Sequence, residues 1–271
     1  MTRATNIIFV VLSVALFSLA TSALAAPAPL VKAPQVDTPT RVLFVGNSYF
    51  YYGDSLHNHV QRLVTSAMPE LEKKIQYKSA TIGGALLAHH NIDHLTKPGQ
   101  IGVKEPFELV ILQGGSGEPL TDARRRQFTA KVVEFNKVIT ERGGKTALYM
   151  PQTYVKPNKE VKPENLTMTA DTYVSAGNEI NALVIPVALA FEEAYKRRPD
   201  IKLHKDFDGS HPSLIGTYLA ACTVYASVYG RSPVGNAYDY YGKIDKDSAA
   251  FLQQVAWDTV QKFNGTLGGA R

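Results

Sequence analysis

From residue 41 onward the chain alternates short apolar runs with longer stretches in which apolar residues return every three or four positions. Arg41 to Val45, Phe107 to Leu112, Thr146 to Met150 and Leu183 to Val187 are β-branched and apolar runs, and Lys74 to Ile82 alternates polar with apolar residues. Each predicts a strand. Leu56, Val60, Leu63 and Val64 recur at helical spacing and predict a helix over Leu56 to Ala67. The same period predicts helices from beyond Leu112 through Ile139, around Thr169 to Ala182, and over Ala188 to Arg198. Phe251, Val255, Val260 and Phe263, with Trp257 among them, predict a last helix near the C-terminus. Short apolar strands divided by helices imply βαβ units, so the expected fold class is α/β: a three-layer α/β/α sandwich with a mostly parallel sheet. Val155 to Thr167, rich in Pro, Lys and Asn, reads as an exposed loop.

Composition leaves this picture intact. The 271 residues are 45% hydrophobic and 20% charged, which suits one sizeable domain and is too apolar for a disordered chain. The N-terminus reads differently. Arg3 precedes an apolar run from Ile7 to Ala20, and small residues follow, ending in Ala23-Leu24-Ala25. A charged start, an apolar segment too short for a comfortable span and an A-x-A site predict a signal peptide over residues 1–25. Residues 26–39, rich in Pro and Ala, read as a linker, and 40–271 as the domain. The expected destination is secreted or periplasmic, with no stable membrane anchor after cleavage.

A formal net charge of +5 comes with only two basic clusters, Arg124-Arg125-Arg126 and Lys196-Arg197-Arg198. Both fall in amphipathic stretches and read as solvated helix faces, so no nucleic-acid partner is expected. The one cysteine, Cys222, excludes an internal disulfide and a cysteine-based metal cluster, and is expected as a small buried residue of an apolar helix.

Ligands of a parallel sheet gather beyond the carboxyl ends of its strands. The residues there are Gly46-Asn47-Ser48, Gly83-Gly84, Gln113-Gly114-Gly115-Ser116 and Pro151-Gln152-Thr153. This separates two serines that both look nucleophilic. Ser48 directly follows a strand, where Gly46 allows a tight exit. Ser55 immediately precedes the helical period of Leu56, so Ser55 and Asp54 read as helix caps. Among the seven histidines, His57/His59 and His89/His90/His94 could suggest a metal site, and His90 and His94 have the i, i+4 spacing of helical ligands. No glutamate sits between them in the zincin arrangement and no cysteine assists, so surface or capping roles are expected. His211 stands apart in DFDGSHPSLIGTYLAA. Asp208 lies three residues before it, and Pro212 keeps it extended at the end of a loop. A carboxylate at that spacing can reach the imidazole Nδ1 and leave Nε2 for a serine hydroxyl.

Taken together, VLFVGNSY, TIGGALLAHH, LVILQGGSGEP and DGSHPSLIGTYLAACTVYASVYGRSP resemble the four sequence blocks of the SGNH (GDSL-like) hydrolases, in the subgroup with Gly-Asn-Ser in the first block. The resemblance runs from about residue 41 to residue 233. It implies a flavodoxin-like fold and a secreted esterase or acylhydrolase that works without metal or organic cofactor. Ser48 matches the nucleophile, Asp208 and His211 the last-block pair, and Gly84 the glycine whose N–H enters the oxyanion hole beside that of Ser48. Asn47 and Tyr49, flanking the nucleophile, are expected to bind substrate. The third block departs from the family's Gly-x-Asn-Asp. Gln113, with a carboxamide one carbon longer than asparagine's, is the expected side-chain donor, and Ser116 the substitute.

The expected chemistry is acyl transfer from a small-molecule or carbohydrate ester to Ser48 and then to water. Tyr49, Phe50, Tyr51 and Tyr52 offer flat faces to a sugar or acyl group, or else pack in the core. Two alternatives stand beside the esterase: an O-acyltransferase using the same triad, and a non-catalytic glycan-binding protein of the same fold.

Overall fold

Five of the apolar runs become strands, with a helix or turn after each. The computed structural model describes Met1 and residues 27–266; apart from Met1, the expected signal peptide lies outside the described residues. The strands are β1 Val42–Gly46, β2 Lys78–Thr81, β3 Leu109–Leu112, β4 Lys145–Tyr149 and β5 Leu183–Ile185. All pair in parallel, in the order β2-β1-β3-β4-β5. That is the flavodoxin-like order, whose crevice opens where β1 and β3 diverge. Every residue of β1 and β3 is buried, as a strand covered on both faces requires.

The helices are α1 Ser48–Tyr51, α2 Leu56–Ala67, α3 Ile92–Thr96, α4 Asp122–Glu141, α5 Asn165–Glu179, α6 Val187–Arg197, α7 Leu214–Tyr229 and α8 Lys246–Asn264. Strand alternation sorts the core into two layers. Val42, Phe44, Ile111 and Tyr149 face α2, α6 and α7. Leu43, Val45, Val110, Leu112 and Leu148 face Phe128, Val132 and Phe135 of α4 and Tyr173 of α5. Each such fully buried side chain contributes about 1.5–3 kcal/mol. Helix α7 is buried continuously from Gly216 through Tyr229 because α8 packs over it. It encloses Cys222, whose burial pushes its thiol pKa well up. Among the described residues no helix is long and apolar enough to cross a membrane.

Boundaries differ from expectation at three places. The strand predicted from Lys74 begins only at Lys78, because the chain first closes a 3-10 turn over Pro69–Leu71 and then a bond from Lys74 N to Leu71 O at 2.8 Å. As an edge strand, β2 is only half-buried, so its alternation extends beyond its pairing. Helix α5 starts at Asn165, inside the segment read as a loop, and turns Tyr173 into the core. The described part of the expected linker is seated on the body: Leu30 N donates to Asn178 Oδ1 at 2.8 Å, and Tyr229 Oη donates to Pro39 O at 2.8 Å.

Candidate active site

The exit from β1 sets the position of Ser48. A Cβ on Gly46 would lie 2.5 Å from Gln113 Oε1 and 2.9 Å from the Phe50 ring, so only glycine fits. Asn47 then caps the short helix α1, its Oδ1 accepting from Tyr49 N at 3.1 Å. Ser48 is the first residue of that helix, 7% exposed, with its hydroxyl toward the sheet's carboxyl edge. Ser55 is different. It occupies the cap position of α2, but at φ 64° its side chain makes no cap hydrogen bond. Side-chain capping needs extended backbone at that residue, so the expected cap is absent and Asn58 N bonds to Ser55 O instead, at 3.0 Å.

The loop before α7 brings its two residues to Ser48. His211 Nε2 is 2.8 Å from Ser48 Oγ, and His211 Nδ1 bonds to Asp208 Oδ2. Asp208 Oδ1 also accepts from Ser210 N at 2.9 Å and His211 N at 3.1 Å. Burial alone would raise the Asp208 carboxyl; the bonds from His211 and from the two N–H groups outweigh it and hold its pKa below the ordinary value. The turn that allows this contains Gly209 at φ 60°, where a Cβ would lie 2.0 Å from Val155 O. Ser213, not Asp208, caps α7, accepting from Gly216 N at 3.1 Å.

His204 supports the same loop from behind. Its Nε2 bonds to Thr153 O at 3.0 Å, its Nδ1 to Tyr195 Oη at 2.7 Å, and it forms a bridge with Pro212. Burial pushes its pKa down to about 4, against the raising pull of the Thr153 carbonyl and the Asp208 charge.

Among the described residues, two that line the cleft, Ser48 and Gly84, carry backbone N–H groups without an acceptor. Gln113 does not join them. Its Oε1 accepts from Asn47 N at 3.0 Å and its Nε2 turns to Gly114 O, so the carboxamide is buried behind the β1 exit. The longer side chain folds back onto backbone that an asparagine could not reach in the same way. Ser116 lies in the cleft instead. Its Oγ accepts from Tyr154 Oη at 2.8 Å, and its hydroxyl lines the cleft.

Asn47 and Tyr49 both line the cleft, but their polar groups are engaged by the protein. Asn47 Nδ2 donates to Ala85 O at 3.0 Å and Gly114 O at 3.3 Å, tying three strand exits together. Tyr49, 3% exposed, bonds through Oη to Ser210 Oγ at 2.7 Å and sets its ring edgewise on His211. Burial raises its pKa. The cleft itself holds about 560 Å³. Three of its residues were not predicted individually as site residues. Tyr52 stacks on the His211 imidazole at 4.0 Å and 20°. Tyr154 and Arg124 form the opposite wall. The aromatic run Tyr49 to Tyr52 was the signal for the first; nothing local marked the other two.

The histidines set aside for metal binding serve elsewhere. His59 Nε2 bonds to Gly53 O at 2.7 Å, and His89 Nδ1 accepts from Leu86 N at 3.2 Å. Among the described residues no three His, Cys, Asp or Glu side chains gather as a metal site would require.

No protein-family model matches the chain, and no curated protein sequence does. Solved structures do. A DUF4886 family protein from Bacteroides uniformis shares 18% identity at a TM-score of 0.60, covering 81% of this chain and 93% of its own. A protein from Slackia heliotrinireducens assigned to the SGNH hydrolases shares 20% at 0.54, covering 70% and 98%. An acetylxylan esterase from Geobacillus stearothermophilus, solved as a catalytic mutant, shares 16% at 0.55, covering 73% and 96%. The chain therefore has the three-layer α/β/α fold found in SGNH hydrolases.

Proposed function

We propose that the protein is an exported serine esterase that removes small acyl groups, O-acetyl groups on carbohydrate first among them. The observation that carries this reading is the continuous contact from Ser48 Oγ through His211 to Asp208. Because Asp208 is held as the carboxylate, Nδ1 keeps its proton and Nε2 is the acceptor for that of Ser48. Ser48 Oγ attacks the ester carbonyl as His211 takes its proton. The N–H groups of Ser48 and Gly84 and the Ser116 hydroxyl then receive the developing oxyanion. Collapse of the tetrahedral intermediate returns the proton from His211 to the leaving alcohol and leaves an acyl-Ser48. Water, activated by the same imidazole, releases the acid. Each step uses only groups of the chain and water.

Three observations support carbohydrate esters as substrates: a cleft of about 560 Å³, the exposed aromatic ring of Tyr51 among its lining residues, and a fold shared with acetylxylan esterases. The signal-peptide pattern of residues 1–25 supports export.

Hydrolysis of a p-nitrophenyl series from acetate to octanoate tests the reading. The expected result is turnover of the short esters and a loss of at least about a thousand-fold in kcat/KM in Ser48→Ala. Equal turnover by both proteins would overturn it.

A further inference from the structure

We propose that Arg124 selects substrates that carry an anionic group, a carboxylate above all, near the ester attacked by Ser48. This rests on the esterase reading and narrows its substrate class. Among the described residues that line the cleft, Arg124 is the one permanently charged side chain; the rest are imidazole, hydroxyl, amide, aromatic, aliphatic or glycine.

Its charge is unused by the protein. The neighbouring Arg125 bonds to Asp122 and to Pro119 O at 2.6 Å, which accounts for it structurally. Arg124 makes no ion pair and no side-chain hydrogen bond among the described residues. Of the acids nearby in sequence, Asp122 pairs with Arg125, and Glu118 is buried beneath the loop and accepts from Gly115 N. Arg124 acts on Glu118 only through its field.

The guanidinium approaches the loop at Gly117. Gly117 has φ −91° and ψ −5°, a conformation open to any residue, so its backbone does not require glycine. A Cβ there would lie 3.0 Å from Arg124 Nη1. The guanidinium thus lies close to Gly117, on the cleft that Tyr154 also lines. A planar fork of N–H donors at that place matches a carboxylate in two parallel hydrogen bonds. Arg124 is exposed to water, which limits the expected preference to about fivefold.

The carboxylate could sit on the acyl or on the alcohol half of the ester, and two matched pairs separate these. The first pair is p-nitrophenyl butyrate against p-nitrophenyl hemisuccinate; the second is an O-acetylated methyl glucoside against the equivalent methyl glucuronoside. In the wild type, kcat/KM for the anionic member is expected to exceed that for the neutral one by about fivefold in one pair, which identifies the half. The ratio should fall to about one in Arg124→Gln and be kept only in part in Arg124→Lys, which retains the charge without the fork. Because the ratio is internal to each protein, loss of folded material in a variant does not alter it. Wild-type ratios near one in both pairs, or a ratio that survives Arg124→Gln, overturn the inference while Ser48-dependent turnover of the neutral esters leaves the esterase reading standing. Absence of turnover for all four esters overturns both.

Discussion

The chain leaves β1 and β3 side by side, yet the two exits do opposite work. After β1, glycine and a capping asparagine start a short helix at once, and the helix throws Ser48 outward to the cleft. After β3, the first polar side chain turns inward, and Gln113 spends both ends of its carboxamide on Asn47 N and Gly114 O. The second exit holds the first in place. Its contribution to the cleft is made two residues later, by Gly115, Ser116 and Gly117. A polar residue just past a strand is therefore a candidate for chemistry only when the backbone beyond it leaves the side chain no nearer partner.

Substitutions on the β3 exit test this division. Ser116→Ala should give the larger effect, a fall in kcat of about a hundred-fold from loss of one oxyanion donor, with the denaturation midpoint nearly unchanged. Unchanged kcat would remove Ser116 from the oxyanion site. Gln113→Ala should act mainly on folding. It strips an acceptor from a buried N–H and a donor from a buried carbonyl, for a loss of about 2 kcal/mol in urea titrations. If kcat collapsed in Gln113→Ala at full stability, the two exits would share one duty and the contrast would fail.

The same contrast marks what was legible in the sequence. Strands β1, β3 and β4 were readable because burial on both faces leaves an apolar run, and β2, at the edge, was readable only in part. Ser48, Asp208 and His211 were readable because each sits at a punctuated place, after a strand or before a proline, and the structure brings the three together. The orientation of Gln113 was not, since its partner Asn47 N lies 66 residues away. Arg124 was hidden by its neighbours. The triplet Arg124-Arg125-Arg126 opens an amphipathic helix and reads as a solvated face, while only the fold brings one member beside Gly117 at the cleft.

His204 adds a dependence on acidity to the site it supports. Wedged between Thr153 O and Tyr195 Oη, it is stable in the fold only as the neutral ring, with a pKa of about 4 against 6.5 in an open chain. Between those values the unfolded chain binds more protons than the folded one, so its share of stability is whole above about pH 6.5 and drains away as pH falls toward 4. Denaturation midpoints followed from pH 7 down to 4 should decline across that window, and the decline should flatten in His204→Gln; an equal decline in both would place the acid sensitivity elsewhere. Because the ring lies directly behind the Asp208–His211 loop, acid would loosen the loop that carries the base, and a protein of this design is suited to work in neutral surroundings.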